Sequence, residues 1–193
     1  MTLIEVLVVT LVIAVLSAMG YLGVNDYLAS AKATKIIMNL HTLKKALWSW
    51  YVDNRDKVQS NGRVKIGKSI LPIQNWQIDG KNSLKLSVYL KRLGSSGINF
   101  YPTKSDDTVA GRTTTNLREG CYGICDGGTL KGDEKDSYRN NWYAGYRFKD
   151  DEDAVRKKIL GRLESSGGLW MGTADAHETP NGDNAQAVWL KVR

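Results

Sequence analysis

One carboxylate stands alone near the start of the chain. Leu3 to Leu22 read LIEVLVVTLVIAVLSAMGYL, and Glu5 is the only ionisable side chain among them. A carboxylate inside an apolar helix costs on the order of 2–3 kcal/mol even on generous insertion scales. It can reach for the interface, since it sits near the end of the segment. It can also find a cation. No Lys or Arg precedes Lys32, so the nearest candidate is an α-amino group, its own or that of a neighbouring copy. A helix packed against copies of itself offers one amine per Glu5, and two charges buried together cost less than either alone.

The other reactive side chains carry weaker signals. Cys121 and Cys125 form a C-x3-C flanked by Gly120 and Gly123. Outside the cytoplasm disulfides persist, so a local bond pinning a surface loop is read ahead of two free thiols. Two cysteines without nearby histidines make at most half a zinc site. The chain has only two histidines, His41 and His177. His41 falls near the apolar stripe of a helix, as a packing or solvent-facing residue. His177 shares a polar loop with Asp175, Glu178 and Asp183, and Asp150–Asp153 is a second acidic run. Both offer oxygen ligands for calcium, but neither has ordered spacing. A solvated loop and a helix N-terminus are the preferred readings. No nucleophile elbow, phosphate-cradling glycine loop or Cys/His pair is present. Catalysis, cofactors and resident metals are therefore not expected.

The elements that carry these residues divide the chain. It has 193 residues, 27 Lys+Arg against 20 Asp+Glu, a net charge of +7 and a mean hydropathy of −0.34. These averages exclude a polytopic membrane protein and a disordered chain. They conceal a first segment, residues 1–28, with no basic residue and two acids, Glu5 and Asp26. The remainder carries a net +9. Twenty apolar residues as a helix span about 30 Å, the hydrocarbon thickness of a bilayer. A cleavable signal peptide fits poorly, because the basic n-region is missing and the run is long and carries an acid. A leader removed before Met1 is the expectation.

Residues 29–54 continue as an amphipathic half-helix. Ile36, Leu40, Leu43, Leu47 and Trp50 step by 4, 3, 4 and 3, one face of a helix. Asn54 is placed to cap it. The head, residues 55–193, is long enough to bury its own core. Lys57–Lys68 reads as a loop with a short strand. Ser83–Leu93 is ambiguous and read as a short helix ending at Gly94. Residues 102–139 read as a surface excursion. Asn141–Phe148, Gly168–Gly172 and Ala185–Val192 read as strands, with a helix from the acidic run through Leu163 between the first two. The sheet is expected to be antiparallel and packed on the helix stripe, with Trp142, Trp170 and Trp189 as anchors. The fold class is α+β.

The start M-T-L-I-E-V, followed by an unbroken apolar run, resembles mature type IV pilins and the pseudopilins of type II secretion. The resemblance covers roughly the first fifty residues. It implies a pilin fold, removal of a leader by a prepilin peptidase, N-terminal methylation at Met1, and an assembly role for Glu5 with the Met1 amine. Met1 stands where Phe is usual, as in some type IVb members. Leu22 stands where many members have Pro, and Gly20 and Gly23 could supply similar helix flexibility. It further implies a major pilin of an extracellular filament with a cytoplasmic-membrane pool before assembly. The implied partners are copies of the chain, the membrane and the pilus assembly machinery. Some pseudopilins hold calcium in a C-terminal loop. A type II pseudopilin is the first alternative. A DNA-binding pilin or an anchored, non-polymerising binding module is less favoured. The basic groups Lys57, Arg63, Lys65 and Lys68, and Lys157, Lys158 and Arg162, are read as solubility and subunit complementarity ahead of nucleic-acid binding.

Overall fold

The computed structural model describes residues 2–60, 62–71, 73, 83–94, 98, 119–126, 141–162, 169–172 and 186–192. A single helix, α1 (Leu3–Asp53), runs for 51 residues, roughly 75 Å at the α-helical rise. Thr2 sits before it with extended backbone. Its far end closes at Asn54, whose backbone N–H and Nδ2 both donate to the Trp50 carbonyl, at 3.0 and 2.9 Å. That satisfies a carbonyl the helix would otherwise leave open.

A 3-10 turn, Arg55–Lys57, leads into the hairpin of β1 (Val64–Ile66) and β2 (Ser69–Leu71). Gly67, at φ 62°, makes the two-residue turn, a conformation that favours glycine. Helix α2 (Leu86–Arg92) follows and ends at Gly94, φ 70°. Then come β3 (Tyr122–Asp126), β4 (Trp142–Arg147), α3 (Asp153–Leu160), β5 (Leu169–Gly172) and β6 (Ala187–Lys191). The last four strands form an antiparallel sheet in the order β3-β4-β6-β5. A long N-terminal helix with a C-terminal antiparallel sheet is an α+β layout.

Burial on α1 changes abruptly along its length. Described side chains from Leu3 to Leu28 are exposed, and Ala29 is the first buried one. From there Ala33, Ile36, Leu40, Leu43, Leu47 and Trp50 are all at most 3% exposed. This is the stripe marked by the sequence, widened by Ala46. It faces Trp142, Ala144 and Tyr146 of β4 and Val188 and Leu190 of β6, with Val155 and Ile159 of α3 and Leu86 and Leu90 of α2 closing the sides. Trp50 and Trp142 meet at 6.0 Å between ring centroids.

Three expectations need correction. The excursion 102–139 contains β3, paired in register with β4 from Tyr122↔Tyr146 to Asp126↔Trp142. The late helix spans only Asp153–Leu160 in the described residues, because Asp150 and Asp151 form a turn and Glu152 is its N-cap. Trp142 and Trp189 do not share a face of the sheet. Side chains alternate along a strand. Trp142 therefore meets α1, while Trp189, flanked by Val188 and Leu190 of the α1 face, lies on the other face and covers Gly145. The side chain of Trp170 is outside the described residues.

Gly145 is needed for that approach, since a Cβ there would overlap the Trp189 ring. Gly145→Ala should destabilise the head by about 1–3 kcal/mol, the usual cost of overpacking. Urea unfolding followed by tryptophan fluorescence measures it.

Candidate functional site: the uncovered half of α1

The head folds around the second half of α1 and leaves the first half bare. Leu3 is 83% exposed, Leu11 62% and Leu16 63%, and none of the most apolar stretch is buried. This helix has the length and hydropathy of a membrane span. Such a surface needs lipid or other apolar helices around it, since in water every exposed methylene opposes solubility.

Glu5 is the one charge on that surface. Its Oε2 accepts a hydrogen bond from the Thr2 backbone N–H at 2.7 Å. This is one arm of a capping box, which satisfies an orphan donor at the helix start. The sequence reading assigned Glu5 an intermolecular partner and missed this local one, although T-x-x-E is its signature. A carboxylate has two oxygens and about four lone-pair sites, so the cap leaves room for an amine. Met1 lies outside the described residues.

Gly20 and Gly23 are within continuous helix, and a Cβ at either would meet nothing within 4 Å. Neither is required by packing inside the subunit. The helix is unbroken there, so the flexibility assigned to them is not expressed in this conformation.

Just past these glycines, α3 clamps α1. Lys158 Nζ pairs with Asp26 at 2.8 Å. Arg162 donates to Thr34 Oγ1 at 2.6 Å and to Ser30 Oγ at 2.8 Å. Two of the basic residues read as a free cluster therefore hold the head to the helix. The deepest link is Glu152, whose side chain is 1% exposed. It accepts from Lys32 Nζ at 2.6 Å, from the Tyr146 hydroxyl at 3.0 Å and from the Lys149 backbone N–H at 3.0 Å. Burial first, and then the Glu152 charge and hydrogen bond, push the Tyr146 phenol well above its usual pKa. It therefore stays protonated and donates. Tyr122, stacked on Tyr146 at 4.8 Å, is pushed up to about 12 by burial, and the hydrogen bond from Asn39 works in the opposite direction. The acidic run Asp150–Asp153 reads in the sequence as a helix N-terminus, and Glu152 is the N-cap of α3. Its burial against Lys32 and Tyr146 has no signal in the sequence.

The remaining candidates separate clearly. Gly120 N–H and Cys121 C=O bond to Arg147, so the extended ladder runs from Cys121 through Cys125. Four residues of strand hold those α-carbons about 13 Å apart, roughly twice the reach of a disulfide. The proposed Cys121–Cys125 bond is excluded while β3 is formed. His41 is half-buried on α1; burial, then Lys44 and Lys45, hold its imidazole below the usual pKa. His177 and its acidic loop lie outside the described residues. Among the described residues no three His, Cys, Asp or Glu side chains group as metal ligands.

Comparisons with protein-family models, with curated proteins and with solved structures give no match for this chain. Function is therefore argued from the residues.

Two outcomes follow from this geometry. Lys32→Met should cost about 2 kcal/mol, the scale of a hydrogen bond to a buried charge, and should do so chiefly by loosening α1 from α3. Chemical denaturation of the full chain in detergent reads the first, and faster amide exchange in residues 153–160 reads the second. Gly20→Ala with Gly23→Ala should leave the isolated subunit as stable or more so, by up to about 1 kcal/mol per site, since Ala is the better helix former. Circular dichroism during heating checks it.

Proposed function

We propose that this chain is the major structural subunit of a type IV pilus-like extracellular filament, with a pilin fold. The observation that carries the reading is the division at Ala29. On one side a head closes its own core. On the other an apolar half-helix is exposed along its described side chains, with Glu5 its one acid through Leu22 and Asp26, paired to Lys158 of the head, at its edge.

The mechanism starts in the cytoplasmic membrane, where lipid surrounds Leu3 to Leu28. Assembly exchanges lipid for the same segment of other copies, so the apolar surface stays covered throughout. Repeating one heterologous contact without closure builds a helical polymer. Glu5, already aligned by its cap on Thr2, pairs with the α-amino group of Met1 in a neighbour. In the filament core that ion pair sets the register, because a slipped subunit would leave two charges buried alone. Gly20 and Gly23 let the half-helix bend as subunits stagger. Prepilin peptidase and the assembly machinery are the implied partners.

A type II secretion pseudopilin uses the same N-terminus in a short periplasmic piston. An anchored module that does not polymerise would keep a leader and stay monomeric. Electron micrographs of purified material separate all three: long fibres, short stubs or none. Glu5→Ala should still insert in the membrane but reduce filament yield at least ten-fold. Wild-type yield would refute the pairing. A methylated Met1 in the mass spectrum is the companion result.

A further inference from the structure

A line of aromatic rings runs from the core to the surface of the head. Trp142 is fully buried, with its Nε1–H donating to the Gly62 carbonyl at 3.1 Å. Tyr51 stands edge-on to it at 5.7 Å and 88°. Trp48 rests against Tyr51 at 5.7 Å and is 49% exposed. Trp48 is thus a large flat ring, half exposed, with Tyr51 against it and Trp142 beyond Tyr51. It borders a groove of about 590 Å³, lined also by His41, Lys44, Lys45, Leu93 and Val192.

The charges around this groove have one sign. Among the described residues no acid lines it. Lys44 and Lys45 take part in no ion pair among the described residues, whereas Lys32 and Lys158 are committed to Glu152 and Asp26. Lys44 and Lys45 stand at i−4 and i−3 to Trp48 on α1, and both line the groove with it. A braced aromatic face with cations beside it suits a planar base whose backbone phosphates lie a few ångströms away. A second copy of this chain fits less well, because residues 29–193 carry a net +9 and the groove offers only more positive charge to them.

We propose that this groove binds single-stranded nucleic acid, with a base stacked on Trp48 and flanking phosphates held by Lys44 and Lys45. His41 stays neutral near pH 7 and adds a hydrogen-bonding edge without adding charge. The site is distinct from the basic groups that sequence reading selected, and it does not depend on the chain forming filaments.

The test is fluorescence anisotropy of a labelled twelve-residue oligothymidylate, titrated with the full chain in uncharged detergent across a salt series. Trp48→Leu should weaken binding about ten-fold, the scale of one lost stacking contact. Lys44→Gln with Lys45→Gln should lower the slope of log K against log salt by about 1.4, two single-strand phosphates' worth. Lys65→Gln with Lys68→Gln removes equal charge from the exposed hairpin and should change both readings little. Circular dichroism confirms that each variant is folded. Equal effects from the two lysine pairs would show diffuse charge attraction and overturn the proposal, as would unchanged affinity in Trp48→Leu. Self-association that is lost in Trp48→Leu while oligonucleotide affinity is kept would assign the groove to a second copy instead.

Discussion

The structure depends on one apolar stripe on one helix. From Ala29 to Trp50 a single face of α1 is buried, and α2, α3, β4 and β6 of the head all pack against the helix. The sheet supplies a flat apolar wall, α2 and α3 close the two sides, and a cap at Asn54 ends the helix where the stripe ends. Each side chain on the stripe that leaves water contributes on the order of 1.5–3 kcal/mol. No head element could shift along α1 by one residue without rotating polar groups into that seam.

The same helix shows what happens when the stripe stops. N-terminal to Asp26, which Lys158 holds, the described side chains of α1 are exposed and largely apolar. None of them belongs to the buried core of the described residues. In the proposed filament, folding and assembly would be separated in the chain: a subunit could complete its core before its other half exchanged lipid for neighbours.

Much of this was legible in the residues. The helix, its cap, its stripe and three of the four large strands followed from periodicity and turn residues, because long regular segments repeat their signal many times. Strand β3 did not, since YGICD is five residues with a glycine at its second position, and it lies in a Gly-, Asp- and Thr-rich stretch that reads as loop. The face taken by Trp189 was missed for a related reason. One residue of register decides it, and register is set by pairing partners. Glu152 looked like one of four adjacent acids, yet only it is buried, because its backbone stands at the start of α3 with Lys32 above it. The groove beside Trp48 was equally hidden. The residues HTLKKALW lie in plain view, but Trp142, the ring that Tyr51 packs on beneath Trp48, is 94 positions from Trp48.

The clamp of α3 on α1 has a mechanical meaning. Its contacts, Asp26, Ser30, Lys32 and Thr34, occupy the stretch where the bare half-helix enters the head. Tension applied to a subunit through its N-terminal half would reach these bonds before it reached the core. They lie across the helix, so the load is shared among several charge-assisted bonds in shear, ahead of the hydrophobic seam. A fibre made of such units would yield first at a reversible polar joint, while the head behind it kept its packing.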